Sequence, residues 1–191
     1  DGCKKFIDSV IEKIQNEIVN KSTHLGFNRM IPRHVLFHMK KMIGQCNLEQ
    51  VNQKLEKFEL KNIPAIIVSA GPSLDKNVGE LKRAQGKSFI IVVDAALRTV
   101  LRNGIRPDMV CTIDPESPDR FFENLNLDGL LWSCSRITRP DVIRQFAGKI
   151  FYNGYYWGKW NQRMSEELGY MFPILSVGGS VTSEAFQIAS Y

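Results

Sequence analysis

The stretch PAIIVSAGPSLD, residues 64–75, decides the fold. It begins with an apolar run, Ala65–Val68, and passes through a glycine turn, residues 69–73, into apolar residues at helical spacing. This order predicts a buried strand, a tight turn and a helix. We expect Ser73 to cap that helix, and we expect the glycine of the turn, Gly71, to adopt a positive φ or to let a ligand approach the backbone. The free N–H groups of the helix would then face the turn, where they favour an anion such as a phosphate.

The same alternation of strand and helix continues along the chain. The predicted strands cover residues 65–69, 89–93, 109–113, 130–134, 149–152 and 174–177, and the predicted helices cover residues 74–84, 95–102, 121–125, 141–146, 159–168 and 181–190. Repeated strand–helix units of this kind predict an α/β fold, a Rossmann-like doubly wound sheet that is mostly parallel. We assign residues 63–191 to this domain.

Residues 1–62 have a different pattern and are predicted to form an N-terminal helical segment. Helices are expected at residues 3–20, 32–43 and 48–58. The first helix has an apolar stripe, which predicts packing against a second helix or a neighbouring domain, including a copy in an oligomer. His34 and His38 lie four residues apart on the second helix, and without a visible third ligand a core or surface pair is favoured over a metal site.

Composition narrows the classes of partner and compartment. The net charge of +5 comes mainly from residues 1–62, which contain 11 Lys and Arg against 7 Asp and Glu. A nucleic-acid surface there is the less favoured interpretation, because basic helices are more often solvated faces. The four cysteines form no CxxC pair and are expected to be reduced thiols in a cytoplasmic protein. No apolar run approaches the roughly 18 residues of a membrane span. The chain starts without Met and ends inside a helical pattern at Tyr191, so we expect a domain truncated at its C-terminal end.

Candidate site residues follow the predicted strands, because ligands of parallel α/β sheets bind beyond the carboxyl ends of the strands. Asp94 ends the second strand, 23 residues after Gly71, where a dinucleotide-binding fold places the acid that bonds a ribose. Asp114 and Glu116 follow the third strand, where carboxylates would hold Mg²⁺, a ribose or a substrate hydroxyl, or would simply cap a turn. The sequence lacks GxGxxG and GxxxxGK[ST], which argues against nicotinamide chemistry and P-loop phosphoryl transfer.

Two further groups of residues are candidates at this edge. Arg136 and Arg139 flank the fourth strand and would neutralise a phosphate or remain surface charges. An aromatic patch, Tyr155, Tyr156, Trp157 and Trp160, would stack a base or a sugar ring, although core or interface packing is the favoured interpretation.

The segments PAIIVSAGPSLDKNVGELK, FIIVVDAALRTVLRNGIRPDMVCTID and GGSV, in this order, resemble the Maf / MptE-like family. This family joins motility accessory factors, which look like glycosyltransferases, to archaeal 6-hydroxymethylpterin pyrophosphokinases. The resemblance covers about residues 60–191. It implies transfer of a nonulosonic acid from a CMP donor to Ser or Thr of flagellin. The alternatives are diphosphoryl transfer from ATP to a pterin with Mg²⁺, and a non-catalytic nucleotide-binding module.

The resemblance also implies roles for particular residues. The turn residues Ser69, Gly71, Pro72 and Ser73 would meet the nucleotide phosphate, and Gly179 and Ser180 would close the phosphate side. Asp94 and Ala95 would lie near the ribose or base. Asp94 and Asp114 would be the Mg²⁺ ligands of the diphosphokinase alternative. Asp114 and Glu116 are the catalytic candidates, with the general base unassigned between them.

Overall fold

The computed structural model describes residues 2–27, 30–42, 63–144, 146, 149–155, 163, 166–167, 174–175 and 180–190. The strands are β1 (Ala65–Val68), β2 (Phe89–Val93), β3 (Met109–Thr112), β4 (Leu131–Ser135), β5 (Lys149–Tyr155) and β6 (Ile174–Leu175). The helices are α1 (Gly2–Phe27), α2 (Met30–Met42), α3 (Pro72–Ala84), α4 (Asp94–Arg102), α5 (Pro140–Arg144) and α6 (Val181–Ser190). In these ranges, no helix is long and apolar enough to cross a membrane.

The strands form one parallel sheet in the order β1-β2-β3-β4-β5-β6. The register pairs Val68 with Val92, and Thr112 with Cys134. The carboxyl ends of neighbouring strands therefore lie along one edge of the sheet. The Rossmann-like α/β fold is confirmed, and each strand begins within one residue of its predicted start.

The order of these six strands contains no reversal, so their crossovers all advance in one direction across the sheet. Helices nevertheless cover both faces. Side chains alternate between the two faces along each strand, and Trp132 of β4 and Tyr152 of β5 point to the same face. On that face, Trp132 stacks on Phe122 and Tyr152 contacts α2. Helix α6 returns over the opposite face, where it meets Ser133 and Asn153. Helix α6 therefore contributes to the second helical layer.

Helix α2 packs into the α/β unit through its two histidines. His34 is 8% exposed, and its Nδ1–H donates to the Ile137 carbonyl over 2.8 Å. His38 is fully buried, donates from Nε2 to the Thr138 carbonyl over 2.7 Å and accepts at Nδ1 from the Tyr152 hydroxyl over 3.1 Å. Burial lowers the pKa of His38 to about 4. The expected core pair of histidines is confirmed.

Helix α1 is longer than predicted and leaves its apolar stripe exposed among the described residues. The stripe consists of Phe6, Ile7, Val10, Ile11, Ile14 and Ile18, of which Phe6 is 70% exposed. What covers this face, and the domain boundary at residue 62, stay predictions. The predicted helix at residues 48–58 lies outside the described residues.

One predicted helix is wrong. Residues 121–125 do not form an α-helix; a single 3-10 turn, Asp119–Phe121, overlaps only the first of them. Asn124 adopts a positive φ of 56°, which asparagine tolerates and which a helix does not allow. Of the predicted helix at residues 159–168, only residues 163, 166 and 167 are described, and these are helical.

Candidate functional site

The turn after β1 places the start of α3 at the carboxyl edge of the sheet. The helix begins at Pro72, two residues earlier than predicted, and Gly71 is its N-cap residue. Ser73 is therefore the second helical residue and makes no capping bond, so the expected serine cap is wrong. The reason is Pro72, whose fixed φ suits the first helical position.

Gly71 is extended, with φ and ψ both 166°, so it does not adopt the left-handed conformation, and the other expectation, the close approach of a ligand to its backbone, stays a prediction. A Cβ added to this glycine would meet only the Ser73 Oγ, at 3.9 Å. Any residue could adopt this backbone conformation. What the glycine provides is open space beside the first turn of α3.

Few amides at this helix start remain available to a ligand. Pro72 has no N–H, and the Leu74 N–H donates to the Gly71 carbonyl over 3.0 Å. The Ser73 N–H has no partner in the part of the chain that the structure describes. One amide and the Ser73 hydroxyl, at the positive end of the helix dipole, are thus the donors presented here.

The start of α6 lies against the same turn. Ser180 caps α6, because its Oγ accepts from the Ser183 N–H over 3.3 Å. Thr182 Oγ1 and Ser69 Oγ are hydrogen-bonded at 2.8 Å. We call Ser69, Gly71, Ser73 and Thr182 the hydroxyl corner. Of Gly179 and Ser180, expected to close the phosphate side, Gly179 lies outside the described residues.

The hydroxyl corner opens into a cleft of about 520 Å³ between α3 and α6. Ser69, Ser73 and Thr182 line its polar part, and Ile66, Leu74 and Phe186 contribute to its apolar part. The sequence reasoning missed Thr182. Its position next to the GGSV segment was the available signal.

Asp94 is 5% exposed and directs its carboxylate into the protein. Its Oδ2 accepts from the hydroxyls of Thr112, over 2.8 Å, and Ser117, over 2.7 Å, while its Oδ1 accepts from the Ala95 N–H over 2.8 Å. Desolvation by burial raises the pKa of Asp94, and these three hydrogen bonds oppose the rise. The geometry favours an internal role, in which Asp94 holds the loop after β3. Its contact with a ribose or with Mg²⁺ stays a prediction.

Asp114 and Glu116 are exposed in the turn that follows β3. The Glu116 N–H donates to Asp114 Oδ1 over 2.8 Å, which fixes the turn and leaves the second oxygen of Asp114 available. Asp114 is close enough to raise the pKa of Asp94 through its charge. Across the described ranges, no cluster of three or more His, Cys, Asp or Glu side chains is arranged to hold a metal ion. Ligation of Mg²⁺ by Asp94 and Asp114 stays a prediction, and no reaction step here is assigned to Mg²⁺.

The two arginines flanking β4 are held differently. Arg139 forms an ion pair with Asp119 at 2.8 Å, so its charge is engaged within the protein. Arg136 is 3% exposed, and desolvation lowers its pKa to about 10, which leaves it cationic at neutral pH. Arg136 is therefore a buried positive charge at the carboxyl edge. Most of the aromatic patch lies outside the described residues.

A second polar cluster was missed from the sequence: Ser133 of β4, Asn153 of β5 and Glu184 of α6. We call it the buried network, because its members are 0%, 2% and 1% exposed. Glu184 Oε1 accepts from the Ser133 hydroxyl and from Asn153 Nδ2, each over 2.8 Å. Desolvation raises the pKa of Glu184 to about 8. A glutamate in a surface-type helical pattern gave no signal of this burial.

Comparison with known proteins follows from this geometry. The sequence matches the family described as 6-hydroxymethylpterin diphosphokinase MptE-like over residues 38–191. The chain belongs to the MptE-like family. No curated protein matches it.

Among solved structures, this MptE-like chain is similar to the MAf glycosyltransferase from Magnetospirillum magneticum AMB-1, with a TM-score of 0.55 and 20% identity. The match covers 68% of this chain and 21% of that one, so the MptE-like chain spans about a fifth of the length of that structure. The likeness supports the Rossmann-like fold.

Proposed function

We propose that this chain carries the nucleotide-phosphate site of a glycosyltransferase of the motility accessory factor type. The donor would be a CMP-linked nonulosonic acid and the acceptor a Ser or Thr hydroxyl of a protein such as flagellin. The observation that carries the proposal is the hydroxyl corner, where the starts of α3 and α6 meet beside an open cleft. A helix start with a free amide and nearby hydroxyls suits a phosphate.

A CMP donor makes modest demands on the protein. The acceptor oxygen attacks the anomeric carbon of the sugar, the bond from that carbon to the phosphate oxygen breaks, and CMP leaves with the electron pair. The Ser73 N–H and hydroxyl would stabilise the charge that develops on the phosphate. The acceptor proton would pass to Asp114 or Glu116, the exposed carboxylates about two strand spacings away, roughly 10 Å.

The test is isothermal calorimetry with CMP and, separately, with ATP–Mg²⁺. We expect CMP to bind, and binding of ATP–Mg²⁺ without any response to CMP would refute the proposal. The informative variant is Gly71→Ala, because its methyl group enters the open space beside Ser73 without straining the extended backbone. We expect CMP affinity to fall on the order of tenfold, about 1.4 kcal/mol.

A matched control lies on the same helix. Gly79 is exposed in α3, and a Cβ added there meets nothing within 4 Å. Gly79→Ala should therefore leave CMP affinity unchanged. Equal affinities for the Gly71 and Gly79 variants would remove the hydroxyl corner from the nucleotide site.

Diphosphoryl transfer from ATP is the second candidate, because the description of the matched family names a diphosphokinase. This activity needs carboxylates that hold Mg²⁺ near the phosphates. Asp114 and Glu116 are the exposed candidates. ATP affinity that rises with Mg²⁺ in the wild type, and not in Asp114→Asn, would favour this candidate. ATP affinity that is indifferent to Mg²⁺ would exclude it.

A further inference from the structure

The buried network ties the first turns of α6 to the middle of the sheet. Ser133 and Asn153 belong to neighbouring strands, and both donate to the same oxygen of Glu184. Ser133 Oγ and Asn153 Nδ2 also contact each other. Two side chains from neighbouring strands of the sheet thus enclose one carboxyl oxygen of α6.

This attachment lies next to the hydroxyl corner. Glu184 is two residues after Thr182 and four after the capping Ser180, which is a separation of about 3 to 6 Å along a helix axis. Thr182 itself is exposed, and its bond to Ser69 is accessible to water. An exposed hydroxyl pair is a weak tether, whereas a buried bonded carboxyl is a strong one. The position of the α6 start therefore depends mainly on Glu184.

The carboxyl group is suited to this role in its neutral form. Because Glu184 Oε1 accepts two hydrogen bonds, the proton of the neutral acid belongs on Oε2, which has no partner among the described residues. The ionisable groups that act on Glu184 from the packed elements are Asp94, Cys111 and Cys134, none of which is positive. Burial keeps the Cys111 pKa well above its usual range, so this thiol stays neutral. An ionised Glu184 would be a buried charge without a described counter-ion.

We infer that neutral Glu184 is a positioning residue, which fixes the first turn of α6 and thereby holds Thr182 and Ser180 at the hydroxyl corner. Ionisation of Glu184 weakens its fit to the sheet and loosens the α6 start. If the proposed function holds, nucleotide affinity at the corner is then coupled to pH through Glu184. The inference rests on that function only for the binding readout.

The experiment measures two quantities from pH 6 to pH 9 in the wild type and in Glu184→Gln. The first is CMP affinity by calorimetry, and the second is amide hydrogen exchange of residues 181–190, corrected for the intrinsic effect of pH. Residues 95–102 of helix α4 are the internal control, because none of them belongs to the buried network and Asp94, which acts on Glu184, is left out. Gln has nearly the shape of Glu and keeps the acceptor oxygen, but it cannot ionise.

In the wild type we expect CMP affinity to fall on the order of tenfold between pH 7 and pH 9, with faster exchange in α6 and unchanged exchange in α4. In Glu184→Gln both quantities should be flat with pH. Parallel pH profiles for the two proteins would overturn the inference. If neither protein binds CMP at any pH, the proposed function fails, and the exchange of α6 against α4 in the wild type still decides the positioning role.

Discussion

Helix α6 meets the sheet at two polar contacts that use similar chemical groups in opposite surroundings. At the hydroxyl corner, Thr182 bonds Ser69 in contact with solvent. In the buried network, two residues further along the helix, Glu184 is 1% exposed and accepts from Ser133 and Asn153. One side of the helix start is open to a ligand, and the other is sealed.

The difference separates binding from stability. Exposed hydroxyls exchange a protein partner for a ligand or water at little cost, which suits a site that must release a product. Buried donors cannot be rehydrated, so the loss of their acceptor is expensive. We therefore expect substitutions in the buried network to act mainly on folding, and on binding only through the position of α6, whereas substitutions at the hydroxyl corner should act directly on binding.

The largest expected effect is that of Glu184→Ala. The substitution leaves the Ser133 hydroxyl and the Asn153 amide without their shared acceptor, and it leaves a cavity. The free energy of unfolding should therefore fall by about 4 kcal/mol. Chemical denaturation measures the change. Glu80→Ala is the control, because Glu80 and its partner Arg83 are both exposed, and solvent screens such a pair so that it adds little to stability. Similar losses for the two variants would erase the distinction between sealed and open contacts.

The next effect is a dependence of stability on pH with two opposing slopes, one caused by His38 and the other by Glu184. The His38 pKa is lowered from 6.5 to about 4, so its contribution is present above pH 6.5 and is lost as the pH falls towards 4. The Glu184 pKa is raised from 4.5 to about 8, so its contribution is present below pH 4.5 and is lost as the pH rises towards 8. Protonation of His38 at low pH should lower the free energy of unfolding by about 3 kcal/mol.

Denaturation midpoints of the wild type, His38→Gln and Glu184→Gln between pH 4 and pH 9 check this pair of slopes. Relative to the wild type, His38→Gln should remove the loss of stability on acidification from pH 6.5 to pH 4, and Glu184→Gln should remove the loss as the pH rises from 4.5 to 8. If either variant reproduces the wild-type pH profile, the side chain that it replaces does not titrate as a buried group, and the prediction for that site is wrong.

A smaller effect is expected around Asp94, which is buried at the carboxyl edge between the two contacts of α6. Ser117→Ala removes one of the two hydroxyls on Asp94 Oδ2, and Thr112 keeps the other. We expect a loss of about 1 kcal/mol, with faster amide exchange in the loop of residues 113–118. Ser190→Ala, which removes an exposed hydroxyl bond to the Phe186 carbonyl, should have no such effect on the loop. An unchanged loop in Ser117→Ala would mean that Asp94 is free to serve a ligand.

Much of the fold was predictable because local patterns report it directly. The β-branched run Phe89–Val93 and the apolar run Ala65–Val68 lie on strands that begin where predicted. The turn after β1 was predictable in place but not in detail. Because Pro72 occupies the first helical position, the helix begins earlier than predicted, and the N-cap residue is Gly71 rather than Ser73.

The buried network was not predictable from the chain order. Ser133, Asn153 and Glu184 are 20 to 51 residues apart, and each is an ordinary residue in its own element. Only the packing of α6 on β4 and β5 brings them together and removes water. Asp94 shows the converse: its position after β2 was predicted, but the direction of its carboxylate depends on Thr112 and Ser117, which sequence spacing does not reveal.

The smallest effect on stability belongs to Thr182→Val, which removes the exposed bond to Ser69 and keeps the shape of the side chain. We expect unfolding free energy to change by less than about 0.5 kcal/mol, because water replaces the lost partner. CMP affinity should fall several-fold, since one hydroxyl of the corner is gone.

Ser133→Ala is the complementary experiment in the buried network. We expect a loss of stability of about 1 to 2 kcal/mol and little change in CMP affinity at pH 7. If Thr182→Val unfolds the protein as readily as Ser133→Ala does, the corner is a structural contact, and the division of α6 into a binding side and an anchoring side is wrong.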